Sequence, residues 1–183
     1  SYLLAISQIT TEPSFPVAGQ PVKIIFDSKK ENRLGSFSQD LYAHTGVIIE
    51  GSTEWKHVFG TWEQINVKPK LTHIGDGVYE LLISPDINAF YSVSAGEKVL
   101  KMAFVFRNTA GNKQTNDLYV TVYQSGLNID LQFPSNNAIL EQGISYNFSA
   151  ISGSTVSLKM FLDNIVIGEV NGEAISKSIQ FSV

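Results

Sequence analysis

The chain has no cysteine among its 183 residues. That excludes a disulfide framework and any thiolate-ligated metal site, and it leaves the redox compartment unread. Clustered basic charge is also missing. Thirteen Lys and Arg face 17 Asp and Glu, the net charge is −4 with a pI near 5.3, and only Lys29 and Lys30 are adjacent. Nucleic-acid affinity rests mainly on grouped cations, so no nucleic-acid partner is expected. No apolar run reaches the ~20 residues of a membrane-spanning helix, so no membrane insertion is expected. The opening "SYLLAIS" is too short for a signal peptide and lacks its basic flank. A leader cleaved earlier is compatible with both observations.

Enzyme signatures are missing as well. There is no G-x-S-x-G elbow, no H-E-x-x-H pair, no P-loop and no G-x-G-x-x-G after a strand. "GDG" at residues 75 to 77 reads as a hairpin turn, because Asp-Gly suits the backbone such a turn requires. His44, His57 and His73 lie too far apart to share a face by local spacing, so a metal site would have to assemble through the fold. Asp27 and Asp40 could pair for acid/base work, but they read as solvated strand ends. Asp76 and Asp117 lack the oxygen-rich loop of a calcium site. The expectation is a non-catalytic chain with no cofactor and no metal.

What the sequence does have is alternation. Hydrophobic residues make up 43% and charged residues 16%, as in an ordinary globular protein. Apolar segments alternate with period two between clusters of Gly, Pro, Asn and Asp, which predicts an all-β sandwich. In "QPVKIIFD", Val22, Ile24 and Phe26 share one face. "KVLKMAFVFRN" puts Leu100, Met102, Phe104 and Phe106 on a core face with Ala103 and Val105 behind, the pattern of a central strand. "DLYVTVY" turns Leu118, Val120 and Val122 inward and Tyr119, Thr121 and Tyr123 outward. Residues 69 to 83 read as a hairpin. The one helix predicted is "SPDINAFY", about two turns, with Ser84 as cap, Pro85 in the first position and Asp86 complementing the dipole.

The pattern restarts at "YQSGLNIDLQFPSNN", which places a boundary near residue 125 and gives units 1–125 and 126–183. In the second, Ile129, Leu131 and Phe133 share one face, and "GISYNFSAI", "STVSLKMFLDN", "IVIGEVNG" and "AISKSIQFSV" predict four more strands. Five strands fall short of the roughly seven of an immunoglobulin-like sandwich. The expectation is therefore an incomplete immunoglobulin-like domain, with Val183 marking a truncation and further C-terminal domains linked beyond it.

Two features remain. Tyr42, Trp55 and Trp62 fall at strand ends and loops, where a ring is either ordinary core or a flat plate for the CH face of a sugar. "NTAGNKQTNDLYV", residues 108 to 120, carries more hydrogen-bonding side chains than a turn needs. Its "QTNDL" reads either as a capped turn or as a polar contact surface.

Residues 20 to 123 resemble the starch-binding modules of carbohydrate-binding families 25 and 26, as found at the N-termini of amylase-like proteins from Bacteroidetes. The resemblance is carried by "VKIIFD", "DLYAHTGVI", a Trp before "KLTHIGDGVYELLI", "FY", "EKVLKMAFVFRN" and "NKQTNDLYV", and the closing motif is its most specific part. It implies a module that binds α-glucan, starch or maltooligosaccharide, belonging to a larger glucan-degrading protein that is exported or held at the outer cell surface. It implies stacking by Tyr42 and Trp62 and polar contact by Gln114, with Asn116 or Asn108 beside it. The sequence departs from the family in that His44 stands near where another aromatic is usual, the insert between Trp62 and Leu71 is long, and Trp55 competes for the platform role. The alternative is a structural spacer or a protein-binding module on a cell surface, binding by strand addition at a sheet edge.

Overall fold

Alternation along the strands decides the architecture. In Val22–Asp27 the residues alternate buried and half-buried, and Val22, Ile24 and Phe26 are almost wholly removed from solvent. The computed structural model describes residues 8–31, 33–34, 39–135 and 137–182. The "SYLLAIS" stretch and Val183 lie outside the described residues. In chain order the elements are β1 (Ile9–Glu12), β2 (Val22–Asp27), β3 (Leu41–Ile49), β4 (Thr72–Gly75), β5 (Val78–Ile83), α1 (Ile87–Tyr91), β6 (Val99–Asn108), β7 (Leu118–Thr121), β8 (Ile129–Phe133), β9 (Ser145–Leu162) and β10 (Ile165–Gln180). The protein is nearly all β, with three antiparallel sheets ordered β1-β2-β5-β4, β3-β6-β7 and β10-β9-β8. It divides into two compact units at Gln124.

The first unit is a sandwich of the first two sheets. Ile24, Phe26, Tyr79 and Ile83 meet Leu41, Val47, Met102, Phe104 and Phe106 in one core. The Phe26 and Phe106 rings touch across it at 4.6 Å. Strand β6 is central in its sheet. Its second face is covered too, for Ala103 and Val105 are buried, as the sequence predicts. The "GDG" segment is the β4–β5 turn, with Asp76 and Gly77 both at positive φ, the backbone of a tight hairpin.

The helix differs from expectation. It is five residues long, and its cap is Asp86, not Ser84: the Asp86 backbone is extended and its carboxylate accepts from the Ala89 N–H at 2.8 Å. Pro85 thus stands before the cap, outside the helix, and Ser92 in the left-handed region closes the other end.

The second unit is a single three-stranded sheet. The four strands expected after β8 are two long ones, β9 of 18 residues and β10 of 16. The small residues read as a break in the sequence, Ser152 and Gly153, fall with Ser154 and Thr155 in a gap of the β9–β10 ladder without ending either strand. They produce a register shift between Gly172 and Ala174 instead, where Gly172 pairs with Val156 and Ala174 with Ile151. A bulge absorbs extra residues without ending a strand.

Candidate functional site

The site is built on the outer face of β3-β6-β7. Strand β3 sends Leu41, Ala43, Thr45 and Val47 into the core, so Tyr42, His44 and Gly46 share the opposite face. The register sets Arg107 opposite Tyr42, Val105 opposite His44 and Ala103 opposite both Gly46 and Tyr119. Between β3 and β4 the chain makes an excursion that returns over this face. Val47 and Lys56 exchange backbone hydrogen bonds at 2.9 and 2.7 Å, and Ala43 N–H reaches Pro69 O at 2.8 Å. Gly46 permits that approach: a Cβ there would lie 2.7 Å from Lys56 O and 2.8 Å from Val58 Cγ2.

The excursion carries both tryptophans. Tyr119 and Trp55 meet edge to face at 6.3 Å, Trp55 stacks on His44 at 5.7 Å and 25°, and His44 meets Trp62 edge to face at 4.8 Å and 73°. One indole is nearly parallel to the imidazole and the other steep to it, so the two indoles are tilted against each other. Tyr42, Trp55 and Trp62 are half-buried, with one part packed and another open, and Tyr119 is 46% exposed. The Trp55 indole N–H donates to Tyr119 Oη at 3.4 Å, and the phenol donates to Asp117 Oδ2 at 3.2 Å. The strip therefore runs Tyr119, Trp55, His44, Trp62, and ends on Arg107, whose guanidinium lies 4.2 Å from the Trp62 centroid.

Polar groups edge the strip. Gln114 pairs with Arg107 across the sheet, and Arg107 with Tyr42, so Gln114 and Tyr42 each stand one strand spacing, about 4.8 Å, from Arg107. Among the described residues no hydrogen-bonding partner meets the Gln114 or Asn116 amide. Thr115 between them points the other way. It is buried, and its hydroxyl accepts from Phe106 N–H at 3.1 Å. The reading of Thr115 as part of a polar contact surface is therefore corrected: its hydroxyl replaces a missing ladder partner. Asn108 is likewise engaged in its own turn, donating to Asn112 Oδ1 at 2.8 Å and accepting from Lys113 N–H at 3.3 Å.

His44 has an unusual environment. Burial, then the charges of Lys68 and Arg107, lower its pKa from 6.5 to about 4, with Asp117 opposing weakly. The ring is neutral at pH 7. Lys68 Nζ donates to its Nδ1 at 2.8 Å, which places the ring proton on Nε2. Lys68 is itself buried, and burial followed by the Arg107 charge lowers its pKa.

The structure thus brings together Tyr42, His44, Trp55, Trp62 and Gln114, leaves Asn116 exposed nearby, and engages Asn108 in the turn. Tyr119, Arg107 and Lys68 belong to the site and were missed. Tyr119 was legible as an outward residue of β7. The other two depend on how the excursion folds back, which local spacing does not encode. A cleft of about 360 Å³ follows the same excursion, lined by His57, Val58, Phe59, Gly60, Phe90, Tyr91 and Ser92, and takes in none of the predicted residues. Among the described residues no three His, Asp or Glu side chains gather as metal ligands would. No family model matches the chain, and no curated protein is significantly similar to it.

Proposed function

We propose that the first unit is a non-catalytic module that binds α-glucan, with starch or a maltooligosaccharide as ligand. One observation carries the reading: two tilted indoles with an imidazole between them, bordered by a phenol and an amide that has no side-chain partner among the described residues. An α-1,4-linked chain curves, so its successive glucose rings present CH faces at an angle, and rings set at an angle match it better than a flat pair. The Gln114 amide is both donor and acceptor and suits vicinal hydroxyls. Hydroxyls leave water, where they were already satisfied, so net affinity is modest, with Kd of roughly 10 μM to 1 mM. Retention on a polymer comes from repeated engagement. In this reading the module serves a larger glucan-degrading protein, exported or held at the outer cell surface.

The test is calorimetric titration with maltoheptaose. Trp62→Ala and Trp55→Ala should each weaken binding about tenfold, and Tyr42→Ala and Gln114→Ala by less. An unmutated protein that ignores α-glucans at millimolar sugar would sink the reading.

A second reading, a spacer or protein-binding module, is favoured by the second unit, where Leu131, Phe161, Ile165 and Val166 are about half exposed or more. Such side chains suit association with another protein surface.

A further inference from the structure

Arg107 is a buried cation, 6% exposed, and among the described residues no carboxylate pairs with it. Removing a charge from water without a contacting carboxylate is costly, and the exposed Glu63 carboxylate interacts with it only at longer range, so its immediate surroundings must compensate. They do so through Trp62. The guanidinium lies over the indole face, and Nη1 donates to the Trp62 backbone oxygen at 2.5 Å, while Nε is buried with no partner among the described residues. Lys68, 4% exposed, treats the preceding backbone in the same way, donating to Thr61 O at 2.6 Å and Phe59 O at 3.2 Å. Two buried cations therefore hold three carbonyls within Phe59–Trp62. That segment includes Gly60 at positive φ and belongs to no strand.

We propose that Arg107, seconded by Lys68, is the positioning residue of the platform, fixing Trp62 by ring face and backbone together, and that Gly111 keeps open the space the guanidinium needs. The proposal rests on the glucan-binding reading for its functional consequence, though not for its geometry. Gly111 lies in the turn after β6 at φ +70°, and a Cβ there would overlap Arg107 Nη2. The glycine in "NTAGNKQ" is thus needed twice, once for its backbone and once for the guanidinium beneath it. Arg107 is shut away from solvent and acts on a ligand through Trp62. Lysine cannot replace it, because a tetrahedral ammonium neither lies flat on the indole nor reaches its carbonyl from there.

The experiment uses the full chain with Trp55→Phe, which leaves Trp62 as the sole indole. Gly111→Ala and Arg107→Lys are made in that background, and emission maximum and acrylamide quenching report Trp62. The expected result is a red-shifted, more readily quenched indole in both, with far-UV circular dichroism unchanged. With Trp55 restored, each substitution should weaken maltoheptaose binding about fivefold to tenfold. Emission and quenching equal to the Trp55→Phe parent would overturn the proposal. So would loss of the β spectrum, since a positioning role leaves the sandwich intact. A parent that binds no glucan defeats the functional reading alone, because the emission data still decide whether Arg107 holds the ring.

Discussion

Thr115 and Gln114 are neighbours in a polar run, yet they serve opposite sides of the sheet. Thr115 closes a buried hydrogen bond to Phe106 N–H, so Thr115→Val should cost about 1 to 3 kcal/mol of stability, read by denaturant titration, and leave glucan binding unchanged. Gln114→Ala should do the reverse. His44 gives a pH signature. It titrates near 6.5 in the unfolded chain and about 4 in the folded one, so between those values the unfolded state binds more protons. The stability His44 contributes is therefore complete above about pH 6.5 and is lost as pH falls toward 4. The groups facing it are Lys68, Arg107 and Asp117. His44→Gln should flatten that part of the Tm-against-pH curve, and an equal slope in both proteins would contradict this account. Alternation within β7 made Tyr119 legible as outward, but Gln114 and Thr115 lie before that strand, and the sequence held no sign that Thr115 turns inward to substitute for a strand partner.

At the scale of elements, the most legible segments were those with a strict alternation and a buried face. Strands β2 and β7 and the β4–β5 turn follow directly from which residues water excludes, and so does β6 from Met102 onward, whereas at its start Val99 is buried in place of the expected Leu100, beside a register shift in β3. Two elements did not. Ser84 and Asp86 are both acceptable caps by type, and only the path of the chain into α1 selects Asp86. Asp86→Ala should cost about 1 kcal/mol, while Ser84→Ala should have little effect on Tm, and equal effects would argue against this assignment. The small residues within β9 and β10 looked like turns because Gly and Ser are common there, whereas the pairing on either side of them carries both strands on through a bulge. The excursion between β3 and β4 was the least legible of all. Its aromatics were visible in the sequence, but their tilt depends on Gly46 admitting the backbone and on Lys68 and Arg107 fixing it.

At the scale of the whole molecule, the two units differ in how they are held. The first has a two-layer core of many fully buried side chains, whereas among the described residues of the second only Leu158 and Ile175 are buried hydrophobics. A single sheet without a second layer has few apolar contacts to resist opening. Amide hydrogen exchange should accordingly be slowest in β6 and markedly faster throughout β9 and β10, and equal protection in both would refute this picture. The functional account rests on the first unit. Its most direct test is to follow the two indole N–H resonances of Trp55 and Trp62 by NMR while maltoheptaose is added. The account predicts that both move together and saturate in the micromolar to millimolar range, with the resonances of the second unit unmoved. Indole signals that stay in place at millimolar sugar would contradict it.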